Sequence, residues 1–198
     1  QKMVLVFDIC SSTSILEDLL QSENEAKWRN LLISLKKFLR HESESHVFDI
    51  YKFVGDGWIL LFDPAFDAST LFDLLRRLCE EYERLFRKSI EPVLSVDIKN
   101  IGITFGIDKG TLVRIVMNEK VEYIGRPLNL ATRLQSAIKD KDQKPEGKVM
   151  ISKNVYAGMS KVLRPLYRVE TARRKLRNIS GTGEHICKKL WLFQKPPV

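Results

Sequence analysis

The stretch FDIYKFVGDGWILLF, residues Phe48 to Phe62, decides the fold of this chain. Apolar and β-favouring side chains fill both halves. The central Gly55-Asp56-Gly57 is a hairpin signal, because glycine takes the positive φ that tight turns need. The stretch therefore predicts two antiparallel strands with Asp56 at the tip. Alone, this acid reads as an ordinary turn aspartate, but a second acid elsewhere changes that interpretation.

The first predicted strand, Met3 to Ile9, ends in that second acid. Val4 to Phe7 form a continuous apolar run, which is typical of a central strand buried on both faces. Asp8 closes the run, and a carboxylate there is costly to bury unless it is paired or bound to a cation. The N-cap types at Ser11 to Thr13 predict a helix N-terminus beside this acid. Two acids and a helix N-terminus together predict a site for a metal ion that carries a polyphosphate.

Helical and extended patterns alternate along the rest of the chain. Their order, β-αα-ββ-α-ββ-α-β-α-β, predicts an α+β fold, an α/β sandwich of helices on a mixed sheet, in one domain over residues 1–198. The predicted helices are Ser14–Gln21, Glu23–Leu39, Pro64–Lys88, Asn129–Ile138 and a short helix from Asn154. The further predicted strands are Leu94–Ile98, Ile101–Ile107, Gly110–Met117, Val121–Gly125, Val149–Ser152 and an alternating tail toward Phe193, with a charged loop at Lys139–Lys148.

The helix predicted at Asn129–Ile138 carries a third polar feature. Asn129 and Arg133 are one turn apart, so their side chains project from the same face. Such a pair is usually solvent-facing, but apolar residues flank it and place it at the margin of a buried edge. Arg133 offers a fork of donors that suits a phosphate. Asn129 can both donate and accept, which suits a ribose hydroxyl or ring oxygen.

Composition limits the possible partners of this chain of 198 residues, which carries a net charge of +8. No apolar run approaches the roughly 18 residues of a membrane span. Three cysteines without ligand spacing suit a reducing setting, so we expect a cytoplasmic protein with no membrane partner. The basic residues lack the aromatic platform of single-strand binders, so we expect no nucleic-acid partner, although Arg173 to Arg177 could serve phosphates. The chain begins at Gln1 rather than Met, so the sequence leaves open whether residues precede it.

Three motifs follow one another along nearly the whole chain. They are Phe7-Asp8-Ile9-x-x-Ser12-Thr13, Lys52-x-x-Gly55-Asp56 and Glu122-x-x-Gly125-x-x-x-Asn129-x-Ala131-x-Arg133. Together they resemble the class III nucleotide cyclases, the family of adenylate and guanylate cyclase catalytic domains. In that family the first motif binds metal, the second adds a metal aspartate and a base-recognition lysine, and the third binds substrate and transition state. Each motif is weak alone, but three in order at matching spacings are specific.

The resemblance implies a ferredoxin-like βαββαβ core with a mixed, mostly antiparallel sheet and flanking helices. It also implies two Mg²⁺ or Mn²⁺ ions per active site, held by Asp8, Asp56 and the Ile9 carbonyl. Backbone groups around Ser12 and Thr13 would cradle the β- and γ-phosphates of a nucleoside triphosphate.

The other half of each implied site comes from a second subunit, because the family's domains pair head-to-tail. Lys52 and Glu122 would bind the base, Asn129 would orient the ribose and Arg133 would neutralise charge in the transition state. Since this chain carries both sets, the resemblance implies a homodimer with two equivalent sites. The implied reaction converts a nucleoside triphosphate to a 3′,5′-cyclic nucleotide and pyrophosphate by a two-metal mechanism.

The base is predicted from the size of its pocket, because polarity does not choose it. Guanylate cyclases place an acid at the position of Lys52, which disfavours guanine, whereas adenine, cytosine and uracil all satisfy a lysine donor with a glutamate acceptor. Glu122 is one methylene longer than the aspartate common there, and Tyr51 and Arg126-Pro127 narrow the pocket further. We expect UTP or CTP, giving cyclic UMP or cyclic CMP as in the bacterial pyrimidine cyclases of antiphage signalling. The alternative is an adenylate cyclase that makes cyclic AMP from ATP.

One departure from the family concerns the terminal phosphates. Many members place a lysine in the loop before the last strand, and the corresponding Asn178 to Gly183 has none. Arg177, Lys175 or Lys120 could take its role.

Two further alternatives remain open from the residues. A catalytically silent cyclase-homology nucleotide sensor would have been marked by loss of a metal aspartate or of Arg133, and neither is lost. A diguanylate cyclase or polymerase-type palm shares the acid-bearing hairpin. However, Val54-Gly55-Asp56-Gly57 lacks the two glycines and two acids of that turn.

Overall fold

The computed structural model describes residues 1–138, 147–179 and 183–196, which form nine strands and five α-helices. The strands are β1 (Lys2–Ile9), β2 (Asp49–Val54), β3 (Gly57–Phe62), β4 (Ile103–Gly110), β5 (Val113–Met117), β6 (Lys120–Ile124), β7 (Lys148–Ser152), β8 (Arg168–Arg174) and β9 (His185–Trp191). The helices are α1 (Ser12–Gln21), α2 (Glu25–His46), α3 (Ala68–Ser89), α4 (Arg126–Ser136) and α5 (Lys153–Leu166).

Seven of the strands form one sheet in the order β2-β3-β1-β4-β7-β9-β8, while β5 and β6 form a separate hairpin. The central strand β1 pairs antiparallel with β3 and with β4. The first four strands, joined by α1 and α2 and then by α3, make the ferredoxin-like βαββαβ core. The pair β4 and β7 is parallel, and β9 and β8 extend the sheet antiparallel. The predicted α+β fold with a mixed, mostly antiparallel sheet is confirmed.

Both faces of β1 are buried, as its apolar run predicts. Met3, Leu5, Phe7 and Ile9 belong to the main core, which the apolar faces of α2 and α3 complete. Val4 and Val6 point to the opposite face, where they pack with Ala131 of α4. Successive strand residues alternate between faces, so one strand serves two layers of helices.

The predicted strand at Leu94–Ile98 is wrong. A short 3₁₀ helix at Glu91–Val93 is followed by irregular chain up to β4. Ser95 donates its backbone N–H to the carboxylate of Asp18 at 2.8 Å, so a side chain of α1 provides the partner that a neighbouring strand would otherwise provide.

Two smaller differences concern the second half of the chain. Ser152, not Asn154, caps α5, because its hydroxyl accepts the backbone N–H of Val155. Lys148 of the predicted charged loop begins β7, whereas residues 139–146 lie outside the described part. None of the helices in the described ranges combines the length and apolar content that a membrane span requires.

Candidate active site

The hairpin turn between β2 and β3 folds directly onto the end of β1. Gly57 permits this approach, because a Cβ atom there would lie 1.9 Å from the carbonyl oxygen of Phe7. Gly55 takes a φ of 75°, the left-handed conformation that the turn requires. The two acids predicted at Asp8 and Asp56 are therefore brought together.

The carboxyl groups of Asp8 and Asp56 lie within hydrogen-bonding reach of each other. Burial, and then the neighbouring Asp56, raises the pKa of Asp8 to about 7. Two carboxylates this close repel each other when both are ionised, so the pair is a natural place for a cation.

The N-terminus of α1 lies beside this acid pair, as predicted, but no side chain caps it. Ser11 precedes the helix with a φ of 56°, and its hydroxyl donates to the carbonyl oxygen of Asn100 at 2.8 Å. The first-turn N–H groups at Ser12 and Thr13 are consequently left for another acceptor.

Gln135 is a functional candidate that the sequence motifs missed. Its side-chain amide donates to the hydroxyl of Thr104 at 2.9 Å and reaches a carboxylate oxygen of Asp8 at 3.5 Å. Helix α4 comes this close because Gly106 of β4 has no side chain, and a Cβ atom there would lie 2.0 Å from the carbonyl oxygen of Ala131. The sequence does contain a sign of this residue. Gln135 lies one helical turn after the buried Ala131, so it is a polar residue on the apolar stripe of α4.

The predicted base-binding residues form a second cluster, between β2 and β6. Lys52 lies 3.1 Å from a carboxylate oxygen of Glu122, and the hydroxyl of Tyr51 donates to the same carboxylate at 2.5 Å. That hydroxyl also accepts the backbone N–H of Tyr123 at 2.9 Å. The hydrogen bond from Tyr51, followed by Lys52, lowers the pKa of Glu122 below its ordinary value. Glu122 is thus held as a carboxylate in one orientation.

Asn129 and Arg133 lie on α4 with exposed side chains, next to the buried Leu130, Ala131 and Leu134. They therefore sit at the margin of a buried edge, as predicted. Within the described residues, no hydrogen bond or ion pair joins either residue, or the Lys52–Glu122 cluster, to the acid pair of the same chain. We call the acid pair one half-site and these four residues the other.

Solved structures of nucleotide cyclases are similar to this chain. The adenylyl cyclase CyaB from P. aeruginosa superposes with a TM-score of 0.72 at 21% identity, covering 96% of this chain and 92% of that chain. The guanylyl cyclase Cya2 gives a TM-score of 0.68 at 16% identity, covering 96% and 90%. An adenylate cyclase structure from Trypanosoma brucei gives 0.65 at 16% identity, covering 100% and 91%. The chain has the class III nucleotide cyclase fold. Neither a protein-family model nor a curated protein sequence matches it.

The acid pair of this cyclase fold suits a divalent metal ion. Asp8, Asp56 and the carbonyl of Ile9 offer oxygen donors only, the type that Mg²⁺ and Mn²⁺ prefer. Among the described residues, no group of three or more acidic, histidine or cysteine side chains is placed to hold a metal. Mg²⁺ usually binds one or two carboxylates and completes its shell with water and substrate phosphates, so the pair fits a metal that arrives with a nucleotide.

The candidates for the terminal phosphates remain dispersed in this cyclase fold. Lys175 and Arg177 are exposed beyond β8, and Lys120 is exposed at the start of β6. Residues 180–182 of the loop that lacks the family lysine lie outside the described part. Arg174 of the basic cluster donates to the carbonyl of Ala137, a structural contact between β8 and the end of α4.

Proposed function

We propose that this chain is a nucleotide cyclase that converts a nucleoside triphosphate to a 3′,5′-cyclic nucleotide and pyrophosphate. One observation carries the proposal. In a cyclase fold, Asp8 and Asp56 meet beside the uncapped N-terminus of α1. Carboxylates for a metal and free N–H groups for phosphate therefore stand at one place.

Asp8, Asp56 and the carbonyl of Ile9 would hold two divalent ions, which when bound lower the pKa of the ribose 3′-hydroxyl and stabilise the leaving pyrophosphate. The residues of the chain position the remainder of the substrate. The first-turn N–H groups of α1, at Ser12 and Thr13, would bind the β- and γ-phosphates along the helix axis, where the positive end of the helix dipole favours them.

Asn129 and Arg133 would act on the substrate bound by a second copy of the chain. Asn129 would hold the ribose so that its 3′-oxygen faces the α-phosphorus, which makes the attack intramolecular and oriented. Arg133 would donate to the oxygens on which charge develops during the transfer. In the described part of the chain, neither forms a hydrogen bond or ion pair with the acid pair, which is compatible with a shared site in a head-to-tail dimer.

An apolar surface around the base cluster supports this dimer. Three side chains are more than half exposed on the face of the β5–β6 hairpin that carries Glu122, at Val113, Met117 and Ile124. Phe53, beside Lys52 on β2, is 49% exposed. Apolar side chains grouped in this way mark an interaction surface, and a second copy placed there would bring its acid pair toward Lys52 and Glu122.

The proposed base is a pyrimidine, and Tyr51 supports this choice. Its ring packs edge-on against Tyr123, and its hydroxyl is bound to both Glu122 and the backbone of Tyr123. The ring is thus fixed beside the lysine and the glutamate that would read the base. The fixed ring of Tyr51 leaves less depth in the proposed base pocket for the double ring of a purine. An adenylate cyclase is equally compatible with the fold, since the superposed structures include adenylyl and guanylyl cyclases.

The test is product formation by the purified protein with Mn²⁺ and each of ATP, GTP, CTP and UTP, with Asp56→Ala as the control. Cyclic UMP or cyclic CMP that the control does not make would support a pyrimidine cyclase. Tyr51→Ala should then raise the rate with ATP relative to the pyrimidines about tenfold, because it widens the pocket, whereas Tyr51→Phe should not.

Two other outcomes would change the proposal. Cyclic AMP alone would keep the reaction but reject the pyrimidine. Nucleotide binding without product would favour the silent sensor. Two further expectations extend this proposal. The cysteine content suggests a cytoplasmic location, and the resemblance of the sequence motifs suggests a messenger role in antiphage defence.

A further inference from the structure

A cavity of about 140 Å³ lies between the second half of α3 and the irregular chain that precedes β4. Its apolar surface comes from Phe86, Ile101 and Phe193, and the segment 99–102 forms one wall through Lys99, Ile101 and Gly102. It lies inside one chain, so it differs from the nucleotide half-sites described above. The volume is enough for a small organic molecule rather than a single water.

Tyr82 gives this cavity an unsatisfied hydrogen-bond donor. The side chain lines the cavity and is 1% exposed, and its hydroxyl has no hydrogen-bond partner among the described residues. Burial, assisted by Cys10 and Asp56, raises the pKa of Tyr82 above its ordinary value, so the hydroxyl stays protonated. A buried hydroxyl without a partner is costly and is satisfied in most proteins, so this one calls for an acceptor from outside the chain.

The rim of the cavity is charged but balanced. Arg87 is paired with Glu83 at 2.7 Å, while Lys99 and Glu91 carry one charge of each sign. The four charges sum to zero, so the rim favours neither an anion nor a cation. An uncharged ligand matches both the rim and the apolar surface.

The cavity wall is connected by two hydrogen bonds to Cys10 and Ser11, the loop between β1 and α1. The backbone N–H of Cys10 donates to the carbonyl of Gly102 at 2.8 Å, and the hydroxyl of Ser11 donates to the carbonyl of Asn100 at 2.8 Å. Cys10 and Ser11 join Asp8 and Ile9 to the first turn of α1. A molecule that moves the wall would therefore move the backbone that carries the metal and phosphate groups.

We propose that this cavity is a regulatory binding site for a small uncharged aromatic molecule with a hydrogen-bond acceptor that faces Tyr82. The ring would pack on Phe86, Ile101 and Phe193, and the acceptor would take the hydrogen bond of the buried hydroxyl. Occupancy would shift the 99–102 wall and, through Cys10 and Ser11, the half-site of Asp8. Only this last step rests on the proposed function.

The first experiment measures binding alone, without metal or nucleotide, so that it does not depend on cyclase activity. Acetophenone, which has a carbonyl acceptor, is titrated into the protein beside ethylbenzene, which lacks it, and amide NMR shifts are recorded. We expect saturable binding of acetophenone, with shifts at Cys10, Ser11 and Gly102. Tyr82→Phe should weaken acetophenone about tenfold and leave ethylbenzene unchanged, and Tyr156→Phe, outside the cavity, should change neither.

A second variant guards against a misleading result from the first. Ile101→Phe places a larger side chain in the cavity, which fills part of it, so this variant should bind neither probe. Absence of saturable acetophenone binding to the wild type would overturn the proposal. So would affinity that Tyr82→Phe does not change, since the cavity would then hold water or bind without the hydroxyl. Failure of the cyclase assay would leave these binding results untouched.

Discussion

The acid pair is the feature in which single residues matter most. Asp8 is the last residue but one of β1, in which Met3 to Phe7 and Ile9 are buried and apolar, and Asp56 reaches it because Gly57 lets the two backbones touch. The cost of this arrangement is the raised pKa of Asp8, about 7, in the protein without metal. A candidate site thus reduces the stability of its own empty state, which is common where groups are placed for chemistry.

The raised pKa of Asp8 predicts how the stability of the protein depends on pH. The pKa of Asp8 rises from 3.8 in the unfolded chain to about 7 in the folded protein, so within that window the folded state holds a proton that the unfolded chain has released. The full shift in the pKa of Asp8 corresponds to about 4 kcal/mol. Because Asp8 is only partly buried and solvent screens its charge, we expect the free energy of unfolding without metal to fall by on the order of 2 kcal/mol as pH rises from about 4 to about 7. Urea denaturation across the window, with wild type and Asp8→Asn, measures it.

The expected result is a slope that Asp8→Asn removes and that Asp97→Asn, at an exposed acid, keeps. Saturating Mn²⁺ should flatten or reverse the slope, because metal binding requires the deprotonated carboxylates. An identical slope in wild type and Asp8→Asn would contradict the assignment of the raised pKa to this residue.

Helix α4 connects the two half-sites of one chain. It carries Asn129 and Arg133 on its exposed side, and two residues further on it places Gln135 against Asp8. Gly106 sets this geometry, because it allows the helix backbone to lie directly on β4. A substrate that displaces α4 by binding on its exposed side would therefore also move Gln135 and change its contact with Asp8.

The element-scale prediction is that Gln135 positions Asp8 rather than touching the substrate. Gln135→Leu keeps the size of the side chain but removes the hydrogen bonds to Asp8 and Thr104. We expect about a tenfold rise in the Mn²⁺ concentration that gives half-maximal activity, as is typical when a group behind a metal ligand is lost. Mn²⁺ titrations of activity, with Thr132→Ala as the control on the same helix, measure it. An unchanged Mn²⁺ requirement would reduce Gln135 to a packing role.

At the scale of the whole molecule, the proposed function requires a second copy of the chain. The acid pair lies at the turn of β2 and β3, while Lys52 and Glu122 meet between β2 and β6 beside exposed apolar side chains. The proposed head-to-tail dimer would join the acids of one copy to the cluster of the other, and by symmetry it would do so twice.

This arrangement predicts complementation between two inactive variants. Asp56→Ala damages the acid half-site and Arg133→Ala the other half-site. In a mixed dimer both changes fall in one site and the second site is intact. Equal amounts, mixed under conditions that allow subunit exchange, should recover about a quarter of the wild-type activity, since about half the dimers are mixed and each has one intact site.

Mixtures of Asp56→Ala with Asp8→Ala are the control, because both changes affect the same half-site and every dimer should stay inactive. We measure activity as a function of the mixing ratio and follow the dimer by analytical ultracentrifugation. These data distinguish a site shared between two copies from a site within one copy. If the first mixture stays inactive while dimers exchange, the two half-sites belong to one copy of the chain and the head-to-tail model is wrong.

Local pattern was sufficient to predict much of this protein. The apolar run of β1, the helical stripes of α2 and α3, and the glycines around Asp56 are short-range signals, and each predicted an element that is present. Helix α2, however, continues to His46, beyond its predicted end at Leu39. The proximity of Asp8 and Asp56 also followed, since a strand end and a hairpin tip in a ferredoxin-like order meet at the same edge of the sheet. Patterns of this kind depend on neighbours within a few residues, which is why they can be read without the fold.

Only the tertiary structure decided the contacts between distant parts of the chain. The bonds of Tyr51 to Glu122, of Gln135 to Asp8 and of Ser11 to Asn100 each span more than 70 residues. The segment at 94–102 has a strand-like composition but packs against α1 and the loop after β1 instead of joining a sheet. The carboxylate of Asp18 accepts the backbone N–H of Ser95, and the carbonyls of Asn100 and Gly102 accept hydrogen bonds from that loop. Such choices depend on which partner the packed helices and sheet bring within hydrogen-bonding distance, and periodicity along the sequence carries no record of that.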